Sequence, residues 1–154
     1  MSDYIKQIRK MVGHEPIILT FAAGILVNKQ NEILLQKRSD FNQWGLPGGA
    51  MEYGENAEKT CQREFLEETG YQVKVDKLLG ISTNQVQKYP NGDLSQSVVI
   101  FFVVTSDLKD RNHDISPETM DLCFFNMNKL PKIFNKQHYK AIQHFKDDKF
   151  SYFD

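Results

Sequence analysis

Residues 46–71, LPGGAMEYGENAEKTCQREFLEETGY, decide how the rest of the chain is read. Asn56 is a strong N-cap, its side-chain oxygen suited to an orphan amide, and Gly70 suits the C′ position because glycine enters the left-handed region without strain. The pattern between them predicts a helix over about 57–69. With successive residues about 100° apart around the axis, Ala57, Cys61 and Phe65 form an apolar stripe, and Glu64, Glu67 and Glu68 fan out beside it over about 100°. Like charges at these spacings cost roughly 0.2–0.5 kcal/mol per pair on an isolated helix, and these lie in the last turns, where the helix dipole favours cations. A solvated acidic face is one reading of the cluster. The other is a site for a hard divalent cation, because Mg²⁺ takes oxygen ligands octahedrally at about 2.0–2.1 Å and keeps places for water and phosphate oxygens.

The wider spacing separates the two readings. Gly49 is followed after five residues by Glu55, after seven more by Arg63-Glu64-Phe65, and then by Glu67-Glu68 and Gly70-Tyr71. At roughly 6% usage per residue type, the seven charged or glycine positions of this pattern coincide by chance about once in several million chains of this length. At these residues the chain resembles the Nudix hydrolases, the MutT-like family, whose box falls here on 49–71. Phe65 and Tyr71 stand where the family usually has aliphatic residues, a departure that affects packing more than chemistry. The resemblance implies an α/β fold, the Nudix α/β/α sandwich with a mixed β-sheet between helices, and a single Nudix hydrolase domain over 1–154.

Composition agrees with one domain: the chain has 154 residues, 40% of them hydrophobic. With 19 basic against 20 acidic residues and a net charge of −1, it lacks the global electrostatic footprint of a protein that holds long nucleic acid. Cys61 and Cys123 form no CxxC pair, and neither a signal peptide nor an apolar run of about 20 residues is present, so no membrane is expected and the cytoplasm is the expected setting.

Around the box the chain reads as strands with a helix at each end. Ser2 or Asp3 caps a first helix whose Tyr4, Ile5, Ile8, Met11 and Val12 recur at helical spacing up to Gly13. That stripe docks on its own domain or forms a dimer contact, so monomer and homodimer both stay open. His14 has no evident role. Residues 17–27, IILTFAAGILV, predict a buried strand or a bent pair of strands. Residues 32–38 predict another, with Ile33 and Leu35 on one face and Leu34 on the other. Lys37 and Arg38 close it, as a solvated edge or as contacts to substrate phosphates. A polar loop over 39–43 leads through Trp44 to a glycine turn, and Glu52 reads as solvated or as support to the site. Beyond the box, 71–89 and 94–105 form a long ribbon joined by Pro90-Asn91-Gly92-Asp93, and the continuous apolar run at 97–105, SVVIFFVVT, belongs at the centre of a sheet. A polar surface loop over 107–117 precedes a short strand at 122–125. Asn135 caps a last helix with Tyr139, Ile142 and Phe145 on one face, while His138 and His144 read as surface or packing residues. Residues 150–154 dock or fray.

The resemblance implies hydrolysis, with Mg²⁺ or Mn²⁺, of the P–O–P bond in a nucleoside diphosphate linked to a further group X. A nucleotide sugar or ADP-ribose, a dinucleoside polyphosphate and a modified nucleoside triphosphate all remain open. Carried over by position, the resemblance makes Glu64, Glu67 and Glu68 metal ligands with the carbonyl of Gly48, counts Glu55 with the metal site as its support, and gives Glu64, Glu67 and Arg63 catalytic roles, Arg63 orienting a glutamate by a charged hydrogen bond. The base that deprotonates water varies in the family. Glu118, with Asp114 and Asp121 as competitors, is the catalytic candidate outside the box. Lys37, Arg38 and Tyr89 are the expected substrate contacts. The rival reading is a ligand-binding sensor on the same fold, which in such relatives usually goes with lost box carboxylates, and all of them are present here.

Overall fold

A computed structural model describes residues 2–154. Helix α1 (Asp3–Val12) is capped by Ser2, whose side chain accepts from the Ile5 amide at 3.1 Å, and it stops at Gly13, where φ is +62°. Strand β1 (Ile17–Ile25) is one continuous strand, not a bent pair. It is followed by β2 (Ile33–Arg38), β3 (Gln43–Gly45) and β4 (Gly48–Ala50), the last two lying where a polar loop and a glycine turn are expected. Helix α2 (Ala57–Thr69) then leads into β5 (Lys74–Ser82), β6 (Val86–Lys88) and β7 (Leu94–Thr105). The chain ends with β8 (Thr119–Phe125), helix α3 (Lys136–Lys146) and β9 (Tyr152–Phe153). No described helix is long and apolar enough to cross a membrane.

The apolar run of β7 does lie inside its sheet. A six-stranded mixed sheet has the order β4-β1-β7-β5-β9, with β6 added to β7. β1 and β7 run parallel from Ile17↔Ser95 to Ile25↔Val103, and β5 pairs antiparallel on the other side with register shifts at Val75/Lys77 and Leu78/Gly80. The expected ribbon is therefore present but broken, since residues 83–85 separate β5 from the short β6 beside the turn. Gly92 sits in that turn at φ +93° and donates to the Tyr89 carbonyl at 3.0 Å. β9 settles the fate of the last residues by adding parallel to β5, Gly80↔Tyr152, and a side chain at Gly80 would collide with the Tyr152 ring. A second, three-stranded antiparallel sheet, β3-β2-β8, completes the middle layer.

Strand alternation sends apolar side chains to two cores. Ala23, Ile25, Ile33, Leu35 and Phe101 pack with Ala141 and Ile142 of α3. Ala22, Leu26, Leu34 and Val104 pack with Cys61 and Phe65 of α2. The two helices thus cover opposite faces, and the division of Ile33 and Leu35 from Leu34 is the one the sequence indicates. Gly24 lets α2 lie close, because a Cβ there would come within 3.0–3.2 Å of Val104, Phe65 and Cys61.

Helix α1 is half-buried. Ile5, Ile8 and Val12 of its apolar stripe are of intermediate exposure, while Tyr4 and Met11 are exposed, Met11 at 74%. Polar bonds add to this contact. Glu52, expected to be solvated or near the site, accepts from the Asp3 and Tyr4 amides at 2.9 Å each, an anion at a helix N-terminus. Arg9 donates to the Leu94 carbonyl at 2.7 Å and to the Glu15 carbonyl at 2.6 Å. His14 also gains a role, its Nδ1 lying 2.7 Å from Asp93 Oδ1.

Candidate active site

Helix α2 has the ends its sequence specifies: Asn56 accepts from the Lys59 amide at 2.9 Å and Gly70 is left-handed at φ +77°. Its C-terminal carbonyls are taken by the loop before β8 and by that strand's first residue. The Ser116 amide donates to Glu67 O at 2.7 Å, the Asn112 amide to Gly70 O at 2.9 Å and Thr119 Oγ1 to Glu68 O at 3.0 Å. Those bonds carry residue 118 to the acidic end of the helix. Glu64, Glu67, Glu68 and Glu118 all line one cavity of about 530 Å³, together with Gly48 and Gly49 of β4, Arg38 and Tyr89. Lys37 does not line it, because neighbouring residues of a strand leave on opposite faces.

Arg63 organises one side. Its Nε donates to Glu55 Oε1 at 2.6 Å and its Nη2 to Glu55 Oε2 at 3.0 Å, a bidentate pair. Nη1 donates to Glu64 Oε1 at 2.8 Å and lies 3.4 Å from Glu67 Oε2, and Nη2 also reaches the Ala50 carbonyl at 3.0 Å. Glu55 further accepts from the Glu52 amide at 3.0 Å and from Thr60 Oγ1 at 2.9 Å. The Arg63 hydrogen bond holds the Glu55 carboxyl down at about 2, and Glu55 in turn raises Arg63. Both Glu55 oxygens are occupied and the residue is set back from the cavity wall, behind Arg63.

Glu64 and Glu68 are in the opposite condition. They are only 8% and 4% exposed, and between them they receive one guanidinium nitrogen, on Glu64, and one amide, from Gly48 N to Glu68 Oε2 at 2.9 Å. Burial pushes the Glu68 carboxyl up to about 8, repulsion from Glu64 adds to this, and Arg38 offsets part of it. Burial also raises Glu64 despite its bond to Arg63, and Glu118 repels both. The two glycines make this crowding possible. A side chain at Gly49 would run into the Glu64 carboxylate, and one at Gly48 into the backbone of Ala22 and Ala23. Among the described residues no three acidic, histidine or cysteine side chains already enclose an ion position. The donor chemistry nonetheless fits a hard divalent cation, since Glu68 is driven to keep its proton for want of positive charge, and a cation bound to these crowded oxygens would supply that charge.

Aromatic rings gather around Arg38. Arg38 forks onto Asp40 at 3.0 and 2.8 Å, and its guanidinium lies 4.4 Å over the Phe134 ring. Phe41 stands 5.8 Å from Tyr89 and 5.3 Å from Phe134. His138 packs against Phe134 at 4.6 Å, accepts from the Leu46 amide at 3.0 Å and is kept neutral by burial, its pKa lowered to about 3. It is a packing residue, as its sequence position indicates. Asp40, Phe134 and Gln137 reach the cavity without any signal of periodicity or motif, and only the position of Phe134 before a cap residue sets it at the start of a helix.

The NUDIX domain family matches residues 19–145. The ADP-ribose pyrophosphatase of Methanocaldococcus jannaschii is 36% identical over 111 residues, which are 70% of this chain and 62% of that one. A putative 8-oxo-dGTP diphosphatase of Bacillus subtilis is 46% identical over 57 residues, 37% of this chain and 38% of its own length. The chain thus spans less than two thirds of these relatives. Among solved structures, a NUDIX hydrolase from Nitrosomonas europaea superposes with a TM-score of 0.72 at 19% identity, covering 87% of this chain and 92% of that one, which establishes a shared fold. The spacing of the box, the sandwich around it and the match over 19–145 agree, and this chain belongs to the NUDIX domain family.

Proposed function

We propose that this protein hydrolyses the P–O–P bond of a nucleoside diphosphate linked to a second group X, with Mg²⁺ or Mn²⁺ as cofactor. The observation that carries the reading is the buried pair Glu64 and Glu68, short of positive charge at the wall of a cavity of about 530 Å³, a size suited to a nucleotide. Glu64, Glu67, Glu68 and the carbonyl of Gly48 would hold the cation, with Glu55 acting through Arg63. The cation, when bound, neutralises phosphate charge and makes water a stronger acid.

The chain's own residues do the rest. Arg63, fixed by Glu55, sets the orientation of Glu64 and reaches toward Glu67. Glu118, exposed at the cavity on a loop tied to the end of α2, takes a proton from the attacking water at a carboxylate oxygen. The water oxygen bonds to one phosphorus while that phosphorus loses its bond to the bridging oxygen, which leaves with the other phosphate. A nucleoside monophosphate and the phosphate of X result. Tyr89, with Arg38 held on Asp40 beside it, faces the organic part of the substrate. The sensor alternative gains nothing from the site, where every box carboxylate is in place. Both cysteines are free, in accord with a reducing cytoplasm.

A screen for monophosphate release over nucleotide sugars, ADP-ribose, dinucleoside polyphosphates and modified triphosphates tests the reading. At least one class should be turned over, and Glu118→Gln should lower its kcat by about 10²–10⁴-fold with the acid limb of the pH profile altered. No turnover of any class would refute hydrolysis, whereas a wild-type kcat and pH profile in the variant would return the base to α2.

A further inference from the structure

Building on the hydrolase reading, we propose that X is uncharged and sugar-like, and that the cavity discriminates against substrates carrying phosphate charge beyond the scissile diphosphate. Among the described residues lining the cavity the basic side chains are Arg9, Arg38 and Arg63, apart from the buried, neutral His138. All three arginines are committed within the fold. Arg63 serves Glu55, Glu64 and the Ala50 carbonyl. Arg38 forks onto Asp40 and lies against Phe134. Arg9, whose side chain is only 10% exposed, gives its terminal nitrogens to the carbonyls of Gly13, Glu15 and Leu94, and its Nε lies 3.6 Å from Asp93.

Eight carboxylates line the same wall. Cations bound by the α2 glutamates would serve the scissile diphosphate, but a further phosphate would face a wall in which acids outnumber arginines. Recruiting an arginine would strip a carboxylate of its partner, and that loss is costly where the pair is buried. Two buried amides add to the negative potential. Gln137 Nε2 donates to the carbonyls of Ser82 and Ser97 at 3.2 and 2.9 Å, which fixes its amide and leaves Oε1 without a partner. Gln36 Nε2 donates to Thr119 Oγ1, whose own proton goes to Glu68 O, so Gln36 Oε1 is likewise an unpartnered acceptor. Both oxygens are sealed from the cavity and act only through their potential; the wall repels phosphate oxygens, and its accessible carboxylates, Asp40 among them, suit the hydroxyl donors of a sugar.

The test compares pairs that share a base: ADP-ribose with ATP, GDP-mannose with GTP and UDP-glucose with UTP, each with Mg²⁺ and with Mn²⁺. In every pair that is turned over, kcat/KM for the sugar member should exceed that for the triphosphate by about 30-fold or more at low ionic strength, chiefly through KM. Raising salt from about 20 to about 200 mM should narrow the ratio by increasing kcat/KM for the triphosphate, because screening relieves repulsion. Asp40→Asn, which removes the carboxylate from Arg38, should shift the ratio toward the triphosphate by about tenfold. A triphosphate used as well as its sugar partner by the wild-type protein, or one whose kcat/KM falls with salt, would overturn the inference. That comparison needs no variant. If no member of any pair or of the wider screen is hydrolysed, the hydrolase reading fails and this inference with it.

Discussion

Helices α2 and α3 lie on opposite faces of the same sheet and begin alike. Asn56 and Asn135 each accept from the amide three residues on, at 2.9 Å. Each helix also buries two large polar side chains, and there the likeness ends. In α3 the buried pair is Gln137 and His138, both neutral: Gln137 donates to two carbonyls, and His138 accepts from Leu46 N. In α2 the pair is Glu64 and Glu68, which repel each other and hold too few donors for their charge. A buried polar group that finds backbone partners is part of the fold. Buried carboxyls crowded together, one of them driven to keep its proton for want of a cation, point to a ligand that supplies one.

The contrast predicts opposite responses to substitution. Glu67→Gln, at the exposed edge of the α2 cluster, should lower turnover by about 10²–10³-fold while leaving the metal-free protein as stable as before or slightly more so, since one repulsion is removed. His138→Leu should act on stability instead, costing about 1–3 kcal/mol by leaving Leu46 N buried without an acceptor. Chemical denaturation of both variants checks the pair of expectations, and a markedly destabilised Glu67→Gln would break the distinction between the helices.

A smaller effect comes from pH. In the metal-free fold Glu68 titrates near 8 against a usual 4.5, so between those values the folded state holds a proton that the unfolded state has lost. Stability should therefore fall as pH rises through that window and level off above about 8. His138 has the opposite sign: lowered from 6.5 to about 3, it supports the fold fully above 6.5 and loses that support as pH falls. Between pH 6.5 and 8 the Glu68 slope stands apart from that of His138. In excess chelator the wild type should be less stable at the top of that range than at the bottom, and Glu68→Gln should remove most of the difference. The smallest effects should be matched ones. Asn56→Ala and Asn135→Ala should each cost about 1 kcal/mol, because the two caps make the same bond.

What the sequence disclosed about these helices was local. Asn56 and Gly70 mark the ends of α2 because capping is decided within a few residues, and β2 shows its two faces because Ile33, Leu34 and Leu35 alternate. The unbroken apolar run of β7 likewise betrays a strand buried on both sides. Three kinds of feature escaped. β3 and β4 are three residues each, too short and glycine-rich for periodicity to register. Glu52, Arg9 and His14 take partners 48 to 85 positions away, which no local pattern encodes. Lys37 and Arg38 are neighbours in the chain, and only the strand's alternation and pairing decide that Arg38 reaches the cavity and Lys37 does not. The convergence of Glu64, Glu67 and Glu68 was legible from helical spacing. That Glu55 spends both oxygens on Arg63 and neighbouring donors needed the fold.

Metal dependence is the most direct test of the claim that the α2 glutamates await a cation. With the best substrate from the screen, release of the two monophosphates should require Mg²⁺ or Mn²⁺, cease in excess chelator and return when the cation is restored, while the circular dichroism spectrum stays that of the folded protein. Undiminished turnover in excess chelator would contradict the account.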